Sequence, residues 1–438
     1  MSTTAGLTEE RETSPGSAEV SSGTGAARVR VTRRALFARD LSVWGFELMS
    51  VGAPDPGGAV HPELRLLNAL AELGVKSLVA DKTALIGVTR DTLLGRLPLP
   101  ASEHTVLVLR LEEGSHEKGR VDRELVEAVD ERIDDGFRLA LSGELWLPEA
   151  APLLERATIL RVPFPQLGLG VLDRIGRRPR DQQLWVDGVD QPEDFPSTRP
   201  YGPHFVSGDF LLKPSPVEGR RAPRNLQVLM ELMTRLREPD VSFAEIESIL
   251  RRDAGLSVTL LRFLNSAGFG LRVQVSNIRQ AVALLGLSEF SKWVTLVGLG
   301  EASYKPNEVL ITALTRAKTC ELMAASNRER SFNPSGSGMA FMVGLFSLLD
   351  ALLDQPLEKV LEELPVADTL RNALLEHAGF EGELLAAVLD YERGLLPDSL
   401  PLDCGDLHEC WRKAVEWADG LRGALPEPRA TAAPRSRR

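Results

Sequence analysis

The order of strand and helix patterns constrains the fold of this chain more than any other feature of its sequence. Between residues 31 and 212, short apolar strand-like runs alternate with amphipathic helical stretches, whereas the segments after residue 221 have helical spacing. Repeated strand–helix alternation predicts a parallel sheet, and this many repeats favour a closed barrel. The fold class predicted is therefore α/β plus all-α: a (β/α) barrel followed by an α-helical domain.

Eight strands are predicted in the first part of the chain. The first two, residues 31–39 and 41–49, meet at Arg39 and Asp40 in a hairpin-type start. The other six are predicted at residues 84–88, 105–111, 137–141, 158–162, 184–186 and 204–212. A barrel of this kind usually has about 250 residues. Because this one is shorter, we expect some of its outer helices or loops to be trimmed.

Shifts in composition divide the chain into five predicted segments. The first 27 residues are rich in Ser, Thr, Gly, Ala and Glu and lack the apolar core of a signal peptide, so they predict a disordered leader. The segments are the leader (1–27), the barrel (28–216), a linker (217–224), the helical domain (225–422) and a disordered tail rich in Pro, Ala and Arg (423–438).

The overall composition excludes several classes of protein. A net charge of −11 argues against a general nucleic-acid binder, which needs a basic surface. The three cysteines, Cys320, Cys404 and Cys410, form neither a disulfide framework nor a metal cluster. Charged residues, Gly or Pro interrupt every apolar stretch before it is long enough to span a bilayer. We therefore expect a cytoplasmic protein that does not insert into membranes.

The helical part contains a motif that combines a helix start with a helix end. Asp253 is a good N-cap, and Asn265 and Ser266 can satisfy the free backbone groups where that helix ends. The residues of the motif are Asp253, Leu256, Leu264, Asn265, Ser266, Ala267, Phe269, Leu285 and Gly286. On this evidence alone, the motif could fix a turn and have no role in recognition.

This motif resembles the opening of the HDOD domain, and the similarity continues over roughly residues 221–395. HDOD domains are helical relatives of the HD phosphohydrolases that lack the metal centre. The resemblance implies a binding or scaffolding module of bacterial signalling. The sequence also indicates that the metal centre is missing. An HD centre needs an adjacent His-Asp pair, and none of the six histidines is followed by Asp.

The barrel segment resembles the EAL domain, which hydrolyses cyclic di-GMP with divalent ions held by oxygen ligands at strand ends. Residues 45–49 resemble the signature segment and put Glu47 in the place of a metal-binding Glu. The residues at the other positions that resemble family ligands are Gly87, Arg110, Glu112, Ser142, Gly143, Arg161, Pro163 and Asp187. Four of these eight residues are neutral, and Arg110 would place a cation where a dication binds.

These substitutions predict a degenerate EAL-like domain that is not an enzyme, with no catalytic residue, no metal ligand and no cofactor. The candidate ligand contacts of the degenerate pocket are Glu47, Arg110, Glu112, Arg161 and Asp187. Glu47 could instead pair with a basic neighbour such as Arg161.

The sequence therefore predicts a non-catalytic bacterial signal-transduction adaptor that acts through protein–protein binding. Its expected partners are proteins of a signalling pathway, with cyclic di-GMP as a further candidate and nucleic acid excluded. Two alternatives stay open: a cyclic di-GMP receptor that binds without hydrolysis, and a residual cyclic di-GMP phosphodiesterase.

Overall fold

The protein is described by a computed structural model. The described residues are 30–52, 62–95, 99, 104–111, 121–143, 145–146, 148–215, 228, 231–232, 235, 241–266, 271, 273–326, 334–364, 366–395 and 406–425. The predicted leader, the predicted linker, and the predicted tail beyond residue 425 lie outside these residues. So does most of a helix predicted over residues 225–237.

Eight strands close into a barrel in chain order, which confirms the predicted architecture. They are β1 (Val31–Ala38), β2 (Val43–Ser50), β3 (Thr83–Val88), β4 (Thr105–Leu111), β5 (Arg138–Gly143), β6 (Ile159–Pro163), β7 (Gln183–Asp187) and β8 (Phe205–Val206). Strand β1 runs antiparallel to both of its neighbours, while the other pairs are parallel. The carboxyl ends of β2 to β8 therefore meet at the same end of the barrel as the start of β1.

The helices around the barrel are short. They are α1 (Pro62–Leu73), α2 (Lys76–Val79), α3 (Arg90–Leu94), α4 (Arg123–Asp134), α5 (Ala151–Leu154), α6 (Leu169–Gly176) and α7 (Asp194–Thr198). Four of them have only four or five residues, as expected for a trimmed barrel.

The closing strand predicted over residues 204–212 is wrong in length, because only Phe205 and Val206 pair with neighbouring strands. The chain turns away at Gly208, where φ is +141°. A Cβ atom at that position would lie 2.2 Å from the Val189 carbonyl oxygen, so the turn requires glycine.

An apolar cluster fills the barrel interior. Its members are Leu36, Leu85, Val106, Val108, Ala140, Ile159, Trp185 and Phe205, and Trp44 packs against them. The Trp44 ring stacks on Phe205 with ring centroids 4.1 Å apart. Since side chains alternate along a strand, the next inward-facing residues towards the carboxyl ends of the strands lie at the open end of the barrel. We call this end the barrel mouth.

The second part of the chain is helical, as predicted. Its helices are α8 (Phe243–Arg251), α9 (Ala254–Leu264), α10 (Ile278–Ala302), α11 (Asn307–Ser326), α12 (Pro334–Phe346), α13 (Leu349–Leu353), α14 (Leu357–Glu363), α15 (Asp368–Leu375), α16 (Gly379–Glu392) and α17 (Leu407–Leu421). The element α10 consists of two helical segments joined by a kink. The kink lies at Gly286, whose φ is +77°.

Among the described residues, no single helix has the length and apolar composition needed to cross a membrane. The two segments of α10, Ile278–Leu287 and Glu289–Ala302, meet those criteria only together, and they are bent by 118°.

The barrel and the helical domain share a hydrophobic core beside β1 and β2. One buried cluster joins Phe46 and Leu48 of the barrel to Tyr391 and Trp411 of the helical domain. The Tyr391 hydroxyl donates a 3.0 Å hydrogen bond to the backbone oxygen of Val31. The helical domain therefore covers barrel surface next to the antiparallel hairpin.

Arg33 fastens the outer face of β1 to α17. Its guanidinium donates to Asp419 Oδ2 at 2.6 Å and to Asp419 Oδ1 at 3.1 Å. The same group donates to the backbone oxygen of Leu78 at 2.7 Å. One side chain therefore joins β1, α2 and α17.

Candidate functional site

The barrel mouth holds a cluster of four buried or half-buried charges. Glu47 comes from β2, Arg161 from β6, Asp187 from β7 and Arg34 from β1. These strands bring the four groups together only because the barrel closes, since β2 and β6 lie on different sides of it. Two cations and two carboxylates make the cluster itself neutral.

Arg161 lies at the centre of this cluster. Its Nη1 atom donates to Glu47 Oε1 at 2.6 Å, and its Nε atom donates to Asp187 Oδ2 at 2.9 Å. The guanidinium also lies over the Trp185 ring, with its Cζ atom 4.2 Å from the ring centroid. The pairing of Glu47 with Arg161, which the sequence left as an alternative, is therefore present.

Arg34 is a member of the cluster that sequence reasoning missed. Its Nη2 atom lies 3.1 Å from Glu47 Oε2, and its Nη1 atom lies 3.8 Å from Asp187 Oδ1. Arg34 and Glu47 are direct cross-strand partners in the β1–β2 register. That hairpin pairing was the only available signal, because Arg34 resembles no EAL ligand position.

Hydrogen bonds hold Asp187 in place from below. The Ser207 hydroxyl donates to Asp187 Oδ1 at 2.6 Å, and Trp185 Nε1 donates to the Ser207 oxygen at 2.7 Å. Because Trp185 is fully buried, these two hydrogen bonds hold the Asp187 carboxylate in a fixed position.

The charges of the cluster determine the pKa of both central groups. Burial by itself would raise the pKa of Asp187, but Arg161, Arg34 and the Ser207 hydroxyl bring the pKa below its ordinary value. Burial by itself would lower the pKa of Arg161, yet the charges of Glu47 and Asp187 raise it. Asp187 and Arg161 therefore both stay charged near neutral pH.

Arg110 projects from the end of β4 and is exposed. Val106 and Val108 belong to the barrel interior, so alternation places Arg110 on the same inward-facing side, at the mouth. Among the residues that the structure describes, Arg110 has no carboxylate partner. Glu112, the fifth predicted contact, lies outside those residues. The structure thus brings Glu47, Arg161 and Asp187 into contact, while Arg110 stays apart from them.

The donors of the mouth do not fit a divalent cation as they stand. Within the described ranges, no three His, Cys, Asp or Glu side chains come together as a possible metal site. Glu47 and Asp187 are both bound to Arg161, whose positive charge occupies the space between the two carboxylates. A dication in that space would be repelled by the guanidinium.

The helical motif has a clear structural role. Asp253 caps α9 by accepting a 3.0 Å hydrogen bond from the Leu256 backbone N–H. Asn265 ends that helix and clamps Val275: its Nδ2 atom donates to the Val275 oxygen at 2.8 Å, and its Oδ1 atom accepts from the Val275 N–H at 2.7 Å.

The rest of the motif supports the same packing. Leu256 and Leu264 are buried, and Gly286 forms the kink in α10. Ala267 and Phe269 lie outside the described residues. The described part of the motif therefore ties the end of α9 to Val275, shortly before α10 begins.

Known proteins and a family model are similar to this chain. The family model of the HDOD domain matches residues 222–378. The cyclic di-GMP phosphodiesterase CdgJ of Vibrio cholerae is 30% identical over 358 residues, which cover 80% of this chain and 76% of CdgJ. The uncharacterized protein YuxH of Bacillus subtilis is 26% identical over 423 residues, which cover 91% of this chain and 100% of YuxH.

Solved structures with EAL domains are also similar. The Bacillus subtilis YkuI protein, solved with cyclic di-GMP and calcium, is 15% identical and has a TM-score of 0.34, covering 52% of this chain and 72% of YkuI. The PaMucR phosphodiesterase, solved in complex with cyclic di-GMP, is 12% identical and has a TM-score of 0.32, covering 46% of this chain and 99% of that chain.

The similarity to CdgJ contradicts the prediction that the chain is not an enzyme. Similarity of 30% to CdgJ over most of both chains points to an enzyme. The prediction rested on counting substituted ligands at family positions. Such a count does not include carboxylates that other positions could supply. The segment that contains Glu112 also lies outside the described residues.

Proposed function

The chain belongs to the EAL-HDOD family of the cyclic di-GMP phosphodiesterase CdgJ, and from this premise we propose that its barrel mouth binds cyclic di-GMP. The protein would act in signal transduction, with the barrel as the part that senses the dinucleotide and the helical domain as the part that contacts other proteins.

The exposed Arg110 carries this proposal. Arg34 and Arg161 are paired with Glu47 and Asp187, whereas Arg110 has no carboxylate partner among the described residues and so offers a free guanidinium at the mouth. A guanidinium can donate two parallel hydrogen bonds to the oxygens of a phosphodiester, and cyclic di-GMP has two such groups. The neutral cluster beside it would remain in place while a phosphodiester binds to Arg110.

Calorimetric titration of the full chain with cyclic di-GMP tests the proposal. Arg110→Ala should weaken binding roughly 10- to 100-fold, the range expected for losing charge-assisted hydrogen bonds. Arg123→Ala is the matched control, because Arg123 is an exposed arginine of α4 whose partner is Glu127. Equal affinity of Arg110→Ala and the wild-type chain would refute the proposed contact.

Hydrolysis of bound cyclic di-GMP is the second candidate function, and similarity to CdgJ favours it. Since the described donors do not fit a divalent cation, we assign no chemical step to individual residues. The assay is chromatography for the linear dinucleotide after incubation with Mg²⁺ or Mn²⁺. Product formed by the wild-type chain and lost in Glu47→Ala would support hydrolysis at the mouth, whereas absence of product would contradict it.

A protein-binding role of the helical domain is supported by its exposed apolar side chains. Phe243, Val258, Val273 and Leu284 are each about half exposed or more. Exposed apolar surface is typical of protein-interaction sites. Val258→Glu should abolish capture of a signalling partner while leaving cyclic di-GMP binding unchanged, and retained capture would count against this surface.

A further inference from the structure

A cavity of about 480 Å³ lies between the barrel and the helical domain. Its barrel wall includes Arg34 and Met49 at the mouth and Asp209 and Lys213 after β8, while its other wall comes from α11, α13, α16, α17 and the residues between α12 and α13. The volume lies within the range of about 300–1,000 Å³ that is usual for small-molecule sites. Arg34 belongs to both the mouth cluster and this cavity, so the two spaces adjoin.

Among the described residues, the helical wall of the cavity includes one carboxylate without an ion-pair partner, that of Asp350. Two other acidic lining residues are already paired: Glu392 lies 2.8 Å from Arg316, and Glu308 lies 2.5 Å from Arg422. Asp350 accepts hydrogen bonds from backbone N–H groups, including that of Ala351 at 2.7 Å, and has no ion-pair partner among the described residues. A half-buried carboxylate without a cation is costly unless it finds hydrogen-bond donors.

Burial raises the pKa of Asp350, and the charges of Arg316 and Lys305 offset this only in part. The Asp350 carboxylate therefore has fewer stabilising interactions than its burial requires. Donors supplied by a ligand would restore the interactions that it lacks.

Two arginines that line the same cavity have hydrogen-bond donors without close partners among the described residues. Arg393 is mostly exposed, and its nearest carboxylate oxygen is 3.7 Å away on Asp390. The buried Nε atom of Arg34 has no hydrogen-bond partner within the described part of the chain. The lining further includes the apolar side chains of Phe37, Leu348 and Trp411, against which a flat ring could pack.

We propose that this cavity holds one guanine base of cyclic di-GMP, with Asp350 accepting hydrogen bonds from the guanine N1–H and N2–H₂ groups and Arg34 and Arg393 facing the adjoining phosphodiester. Guanine presents these two donors side by side on its Watson–Crick edge, whereas the same edge of adenine has an acceptor at N1. Asp350 would thus select guanine over adenine. This inference rests on the proposed function and adds the helical domain as half of the binding site.

The test is titration of the full chain with cyclic di-GMP and, separately, with cyclic di-AMP. The wild-type chain should prefer cyclic di-GMP. Asp350→Asn should weaken cyclic di-GMP binding by at least about tenfold and leave cyclic di-AMP binding unchanged, because a buried amide cannot accept both donors. Asp368→Asn, on the exposed start of α15, is the matched control and should bind both dinucleotides like the wild-type chain.

Arg393→Ala provides a second variant at the cavity that leaves the fold intact, since Arg393 is a surface residue. It should weaken binding of both dinucleotides to a similar extent. If Asp350→Asn and Arg393→Ala bind cyclic di-GMP like the wild-type chain while Arg110→Ala does not, the cavity proposal is overturned and the barrel-mouth proposal stands. If the wild-type chain binds neither dinucleotide, both proposals are overturned.

Discussion

Replacing Arg161 by leucine should lower the free energy of unfolding by about 3 kcal/mol near neutral pH. Removing one partner of a buried ion pair typically costs about 3–5 kcal/mol, because it leaves an uncompensated charge. Two features of the site reduce that cost here: the Arg161 side chain is 17% exposed, and Arg34 remains 3.1 Å from Glu47. Loss of the contact with the Trp185 ring adds up to about 1 kcal/mol, part of which the leucine side chain regains by packing.

The size of this effect should depend on pH in a defined direction. In the wild-type chain the folded-state pKa of Asp187 is lowered, so its contribution is present above the unfolded-state value and is lost as the pH falls through the folded-state value. Without Arg161, the strongest influence that lowers this pKa is gone while burial still opposes the charged form, so protonation of Asp187 should cost the variant less than it costs the wild-type chain. The stability difference between Arg161→Leu and the wild-type chain should therefore shrink as the pH falls from neutrality towards the ordinary pKa of an aspartate.

Urea unfolding followed by tryptophan fluorescence measures this difference at each pH, since Trp185 lies under Arg161. The control is Arg156→Leu, which removes an ion pair with Asp130 at the surface and should cost less than about 1 kcal/mol. A penalty for Arg161→Leu as small as that of the control, or one that grows as the pH falls, would refute the reasoning.

Three further predictions concern the helical domain. Gly344→Ala should lower the free energy of unfolding by about 1–3 kcal/mol in urea titrations, because the added Cβ would lie 2.5 Å from the Cα atom of Ala317, whereas Gly338→Ala makes only ordinary contacts. Burial raises the pKa of Cys320 to about 12, so peptide mapping should find it unmodified by iodoacetamide near pH 8 until the chain is unfolded. Burial lowers the pKa of His408 below its ordinary value of 6.5, so unfolding free energy should fall as the pH drops below that value, and less so in His408→Asn.

Local periodicity was enough to predict the barrel and the helical domain, because each strand and helix has its own hydrophobic pattern. The closing strand was predicted too long because residues 204–212 are apolar and strand-like, while the turn is set by contact of Gly208 with the Val189 backbone. Contacts of this kind join residues that are distant in the sequence, and no local pattern reports them.

The candidate site shows the same limit. Arg161 and Asp187 lie on neighbouring strands and could be paired from the predicted strand order, whereas Arg34 requires the exact register of the β1–β2 hairpin. Arg33 contacts Asp419 across 386 residues of sequence, and Asp350 lines the interdomain cavity together with residues of the barrel. Tertiary packing alone places these groups, so sequence reasoning about the barrel by itself could not find the cavity.

Strand β1 contacts both the barrel mouth and the helical domain. Successive side chains of a strand point to opposite faces, so Arg33 is directed outwards to Asp419 of α17 while Arg34 is directed into the mouth beside Glu47. Both arginines line the interdomain cavity. A shift of β1 by ligand binding at Arg34 would displace Arg33 as well, because the two residues are adjacent in a strand that pairs with β2 from Val31 to Phe37. The helical domain would therefore respond to occupation of the mouth through a strand that it already covers.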